Sequence, residues 1–203
     1  MGAGRLGWTR GWISVALYIV GMGAVRVIVR HYNAPLLGAR ANWRHKDSKP
    51  FDKIFLVGYL PLVLIQPAIA GLDAVRFRWS SIPFSFVYIG STLLALAMAL
   101  MEWAMVVNPY AESTVRIQTD RGHAVVSSGP YRVVRHPMYV GVMLMYLATP
   151  LVWGSVWALV LAGFIVILLA WRTAREDQIL RQELAGYAEY AACTPYRLVP
   201  GLW

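Results

Sequence analysis

Residues 138–171 read MYVGVMLMYLATPLVWGSVWALVLAGFIVILLAW, without one Asp, Glu, Lys or Arg. A single straight helix of that length would run about 51 Å at 1.5 Å per residue. The hydrocarbon core of a bilayer is only ~30 Å thick. Pro150 and Gly154 interrupt the run near its middle, where a helix breaks most easily. The stretch therefore reads as a tight helical hairpin of two crossing arms. A hairpin returns the chain to the face it left, so the segments flanking it, 108–137 and 172–203, share one side.

Working outward, three further apolar runs precede it, at 11–29, 54–72 and 82–107. Pro61 and Pro67 predict kinks in the second, and Arg26 near the end of the first can snorkel to the interface. That makes five helices in an all-α integral membrane protein. The composition agrees: 58% hydrophobic and 14% charged, against roughly a quarter charged in soluble domains, with mean hydropathy +0.51. The length of 203 residues suits one integrated domain.

The net charge of +9 fits cytoplasmic loops rather than nucleic acid, because no basic segment carries a recognition motif. Segments 30–53, 108–137 and 172–203 hold fourteen Lys and Arg. The opposite segments hold four: Arg5, Arg10, Arg76 and Arg78. This asymmetry predicts an N-terminus outside and a cytoplasmic C-terminus. Trp8, Trp12, Trp43, Trp79 and Trp103 lie near span ends and read as an interfacial belt. Cys193, the single cysteine, excludes an internal disulfide and a Cys-based zinc cluster and reads as a small filler. No metal site is expected. No small-x-small cleavage site follows a short apolar run, so no cleavable signal peptide is expected. Gly21 and Gly23 read as helix packing.

The polar residues concentrate on the predicted cytoplasmic side. RIQTDRGHAVVSSGPYRVVRHPMYVG (116–141) and WRTAREDQILRQELAGYAEYAACTPYRLVPGLW (171–203) bring together His123, Tyr131, Arg132, Arg135, His136, Tyr139, Arg175, Glu176, Asp177, Tyr187, Tyr190 and Arg197. Pro130 and Pro137 bias the residues before them to extended geometry and shape a loop that enters a helix at Pro137. The new helix's N–H groups would favour an anion. Glu176 and Asp177 stand adjacent at the membrane exit of the last span. They read either as acceptors for hydroxyls or a cation, or as partners of Arg172, Arg175 and Arg181 within helical reach. Glu102, near the end of the third span, reads as interfacial or as part of a buried site.

The pattern H-x-V-x-x-x-G-P-Y-x-x-V-R-H-P-x-Y-x-G, an apolar hairpin, an acid pair and paired tyrosines resembles the isoprenylcysteine carboxyl methyltransferase family, bacterial type. The wider group includes the phospholipid N-methyltransferases. The resemblance covers roughly 105–203 and divides the chain into three N-terminal spans, 1–107, and a methyltransferase-like region, 108–203. It implies a membrane enzyme of the bacterial inner membrane that uses S-adenosylmethionine bound on the cytoplasmic side between the RHP loop and the tail. By carry-over the cofactor residues are His123, Tyr131, Arg135, His136, Tyr139, Gly141, Glu176, Asp177, Tyr187 and Tyr190, with Arg197 in a lid-like tail. The pair is Glu-Asp here, where Glu-Glu is the usual form. The acceptor would be a hydrophobic or lipid-like molecule entering from the bilayer, as carboxylate, thiol, amine or hydroxyl. No catalytic base is named by the sequence, and Glu102 and Glu112 are the candidates. Two rivals stand beside this reading: an NADPH-dependent reductase, since Y-x-x-Y before Y-R-L-V-P also resembles the tail of membrane sterol reductases, and a non-enzymatic small-ligand carrier.

Overall fold

A backbone in hydrocarbon finds no water, so its N–H and C=O groups must bond within the segment, and apolar runs become helices. The computed structural model describes residues 3–41 and 48–203; Trp43, and with it part of the predicted aromatic belt, lies outside them. Seven α-helices follow in order: α1 Thr9–Tyr32, α2 Ala34–Ala41, α3 Pro50–Gly71, α4 Phe86–Val107, α5 Pro137–Trp153, α6 Val156–Glu183 and α7 Tyr187–Cys193. No strand occurs among the described residues.

Four of these are long and apolar enough to cross a membrane: α1, α3 with the π-helical turn Leu72–Phe77 that prolongs it, α4 and α6. Large apolar side chains such as Ile19, Val27, Val57, Leu64, Leu96, Phe164 and Ile167 point outward from them, as lipid-facing surfaces require. The hairpin is present but unequal. Its first arm, α5, has 17 residues, about 25 Å, and falls short of the ~30 Å core. Its second, α6, has 28, about 42 Å, so its last turns project past the hydrocarbon.

The break falls at Gly154, not at Pro150. Pro150 completes the last turn of α5, and its carbonyl accepts from Gly154 N at 2.8 Å and Ser155 N at 3.1 Å. Gly154 takes φ 79°, a left-handed cap that costs glycine little. Ser155 then caps α6, its hydroxyl accepting from Ala158 N at 3.0 Å. Pro61 and Pro67 both lie inside α3, which continues through them.

α5 is the central helix. Cβ-free glycines let it approach α4 closely at two levels. A Cβ on Gly141 would meet Met101 Cγ at 2.5 Å and Ala97 O at 2.9 Å; one on Gly90 would meet Val152 Cγ2 at 2.8 Å and Ala148 O at 2.9 Å. On that side α1, α2, α4 and α5 share a core of Val25, Val29, Leu36, Leu94, Met98, Met101 and Ala148. On the other, α3, α5 and α6 bury Phe55, Tyr146, Ala162, Ile165 and Leu169 against Leu198 of the tail. Gly21 packs against Met98, whereas Gly23 faces open space, so only the first serves close packing. Cys193 is exposed rather than a filler.

Candidate functional site

α4 ends, α5 begins and α6 leaves the hydrocarbon at one end of the bundle. There residues 108–136 carry only two 3-10 turns, Thr119–Arg121 and Gly129–Arg132. Their backbone therefore depends on side chains for partners. Arg116 donates through Nε and Nη2 to Glu112 at 2.9 and 3.0 Å and through Nη1 to Asp120 at 2.7 Å. Arg121 donates to the same Glu112 at 3.1 Å. These carboxylates hold the Arg116 guanidinium above its ordinary value. Arg172 of α6 ties the loop down: it donates to Asp52 of α3 at 2.7 Å and to Ser113 O at 2.9 Å, and Val115 N donates to Asp52.

Beneath this loop lies a cavity of about 90 Å³, or about 840 Å³ with its open mouth. Of the ten residues carried over as cofactor-binding, His123, Tyr131, Arg135, His136, Tyr139, Glu176, Tyr187 and Tyr190 line it, as does Glu112. Gly141 instead sits against α4. Asp177 is fully buried behind the wall. Glu102 lies half-buried in α4, outside the cavity lining.

Adjacent helical residues point about 100° apart, and this divides the acid pair. Glu176 faces the cavity, where the Tyr139 hydroxyl donates to Oε2 at 2.6 Å. Asp177 faces inward and gathers the chain. It accepts from Arg135 Nε at 2.7 Å and Nη2 at 3.2 Å, from Arg181 Nε at 3.1 Å, Arg197 Nε at 3.0 Å and the Tyr187 hydroxyl at 3.0 Å. His136 Nε2 lies 3.3 Å away. The predicted arginine pairing thus holds for Asp177 and Arg181, while Arg172 pairs with Asp52 and Arg175 lies over the Trp171 ring. Arg132 is exposed.

The tail closes over the RHP loop through the backbone, Arg135 N donating to Tyr196 O at 2.9 Å and His136 N to Arg197 O at 3.0 Å. Arg135 also donates to Thr194 O at 2.6 Å. Burial lowers the Arg135 guanidinium, but the hydrogen bonds to Asp177 carry it above its ordinary value. Burial pushes the Tyr131 and Tyr187 hydroxyls well up, the second further because Asp177 is beside it, and Tyr190 up to about 12. All three remain hydrogen-bond donors at neutral pH. Two of them are engaged: Tyr187 on Asp177, and Tyr190 on Tyr131 O at 2.7 Å. His123 stacks tilted on Tyr110 with ring centroids 4.6 Å apart, and its Nδ1 accepts from Gln118 N at 3.3 Å. Burial lowers its pKa; Glu112 opposes this, while Arg116 and Arg121 add to it.

Several lining residues carried no sequence signal: Asn108, Tyr110 and Gln118. Arg172, expected to pair with the adjacent acids, lines the cavity as well but pairs with Asp52. It crosses the Tyr139 ring at 5.5 Å and the Phe55 ring at 4.8 Å. Arg40 of α2 reaches Ala111 O and lies 3.6 Å from Met138 Sδ, and nothing local in α2 announced it.

The site is a partly enclosed polar cavity at the end of an apolar bundle, walled by two carboxylates, tyrosines and locked cations. No curated protein matches the chain. The model of the family described as phospholipid methyltransferase matches residues 85–185, about half of the chain, from the start of α4 to just past α6. It takes in the hairpin, the RHP loop and both acids, and with them the chain belongs to this family of membrane methyltransferases, in the wider group that also holds the isoprenylcysteine carboxyl methyltransferases.

Proposed function

We propose that the protein transfers a methyl group from S-adenosylmethionine to a hydrophobic or lipid-like acceptor that arrives through the bilayer. The observation that carries this reading is the placement of Glu176. Its side chain faces the cavity, oriented by the Tyr139 hydroxyl at 2.6 Å, while its neighbour Asp177 is consumed by structure. A carboxylate so placed can accept from ribose hydroxyls and attract a sulfonium.

When bound, the cofactor supplies an activated methyl group. The chain's own work is then alignment and exclusion of water, which carry much of the acceleration in such a displacement. Tyr131, Tyr187 and Tyr190 offer flat apolar faces around an adenine-sized group. Arg135 and His136 are held rigid by Asp177 and by tail carbonyls, so the wall is shaped before ligand arrives. The enclosed 90 Å³ is below the ~300–1,000 Å³ of ligand sites, so a cofactor occupies the mouth as well, under residues 110–126. Glu112 is taken by Arg116 and Arg121, which argues for a loop-holding role over that of a base.

The charge asymmetry supports a cytoplasmic cofactor end, where S-adenosylmethionine is made, and an inner-membrane location with the N-terminus outside. Family membership favours methyl transfer over the reductase and carrier readings. Calorimetric titration of S-adenosylhomocysteine into detergent-purified protein tests the proposal. Saturable binding, lost in Glu176→Ala and unaffected by NADPH, is expected. No binding by folded wild-type protein, or binding of NADPH in its place, overturns it.

A further inference from the structure

At the end of the bundle opposite the cofactor cavity lies a second polar hollow, and it is built differently. α4 separates the two: Phe84 just before it borders one, Asn108 just after it borders the other. The 22 residues of α4 set them about 33 Å apart.

This hollow measures about 490 Å³ and carries three arginines, Arg5, Arg10 and Arg78, beside Ser80 and Ser81. No described lining residue is acidic. The nearby acid Asp73 is fully buried, and its Oδ2 accepts from Ser80 and Ser155 at 2.6 Å each and from Trp157 N at 3.2 Å. It therefore orders the rim and presents no carboxylate to the hollow. Arg10 donates to Ile82 O at 2.7 Å through one nitrogen and lies over the Phe84 ring, which fixes its direction. Arg5 and Arg78 are exposed.

The hollow does not end in water. Arg5, Trp8 and Trp153 border it and also border an apolar groove of about 560 Å³ between α1 and α3, lined by Trp12, Val15, Leu64, Pro67 and Ala68. Leu64 is broadly exposed, on a helix that crosses the membrane. A cationic recess at headgroup depth thus continues into an apolar trough at acyl-chain depth. A soluble anion would leave the trough unused, and an acyl chain alone would leave three guanidiniums without a counter-ion.

We infer that this continuous recess binds one anionic glycerophospholipid of the leaflet opposite the cofactor, its phosphodiester among Arg5, Arg10 and Arg78 and one acyl chain along the α1–α3 groove. The inference does not depend on the methyl-transfer reading, because the recess is a membrane's thickness from Glu176. The lipid would hold α1 against α3, two helices that otherwise pack chiefly on different partners, α1 on α4 and α3 on α6.

The test is thermal unfolding of the full-length, delipidated protein in detergent, with phosphatidylglycerol, phosphatidylcholine, diacylglycerol or inorganic phosphate added. Phosphatidylglycerol is expected to raise the midpoint saturably and phosphatidylcholine less; diacylglycerol and phosphate should leave it in place. The variant R5Q/R78Q removes two exposed guanidiniums without touching the Arg10 contact to Ile82. It should keep the lipid-free midpoint and need at least tenfold more phosphatidylglycerol for the same shift, given the attraction of anionic lipid for each cation. A68W, with all three arginines intact, should lose the shift by filling the groove. Equal shifts in wild type and both variants would overturn the inference in favour of general lipid solvation. A shift produced by inorganic phosphate alone would overturn it in favour of a soluble anion.

Discussion

Glu176 and Asp177 are one peptide bond apart and do opposite work, and single substitutions should separate them. Tyr139→Phe removes the donor that aims Glu176. A hydrogen bond to a charged group is worth about 1.5–3 kcal/mol, so binding of S-adenosylhomocysteine should weaken by roughly tenfold or more in calorimetry, with thermal stability little changed. Asp177→Ala should instead destabilise the fold. It leaves buried Arg135 without its carboxylate, a loss of about 3–5 kcal/mol for broken buried pairs. The unfolding midpoint should fall even in ligand-free protein. His123 gives a pH test. Its folded pKa lies below the usual ~6.5, so the unfolded chain takes up the proton first. Its contribution to stability is then complete above about 6.5 and is lost as the pH falls from there through the lowered folded value. Tyr110, Glu112, Arg116 and Arg121 all face this ring, and His123→Asn should flatten the slope of the unfolding midpoint as the pH falls below about 6.5.

Between elements, the decisive contact is α4 on α5, because it sets the RHP loop against the end of α6. Gly141 and Gly90 allow it, and in both cases the neighbour met by a new Cβ includes backbone of the facing helix, which cannot step aside. Gly141→Leu should force the helices apart, lower the unfolding midpoint and weaken ligand binding together, since Tyr139 is two residues away. Gly163 faces open space in α6, so Gly163→Ala should be neutral or slightly stabilising by helix propensity. A midpoint series across the two variants checks the argument.

At the scale of the whole molecule, the prediction concerns orientation. Cys193 is exposed at the cofactor end, and Ser81 is exposed at the other. In intact cells a membrane-impermeant thiol reagent should spare Cys193 and label Ser81→Cys in a Cys193→Ser background. Permeabilisation should expose Cys193. The reverse pattern would place the cofactor cavity outside and remove the charge argument for the topology.

The five apolar helices, the hairpin and the crowding of polar residues at its base followed from sequence alone. Each rests on a local property: run length against bilayer thickness, the conformational freedom of Gly154, or the shape that Pro130 and Pro137 impose. Eight of the ten carried-over residues line one cavity because their motifs are themselves local, a loop and a helix end. Tertiary structure alone decided the rest. It set the helix break at Gly154 rather than at Pro150, whose carbonyl accepts from Gly154 N and Ser155 N and so completes the last turn of α5. It turned Glu176 to the cavity and Asp177 into the core. It brought Arg172 of α6 into the cavity lining, and Arg40 of α2 and Asp52 of α3 against the loop above it. It also joined three arginines and an α1–α3 groove into one recess. Such pairings depend on which surfaces meet once helices pack, and that is set by side-chain volumes summed over the whole bundle, a quantity no short stretch contains.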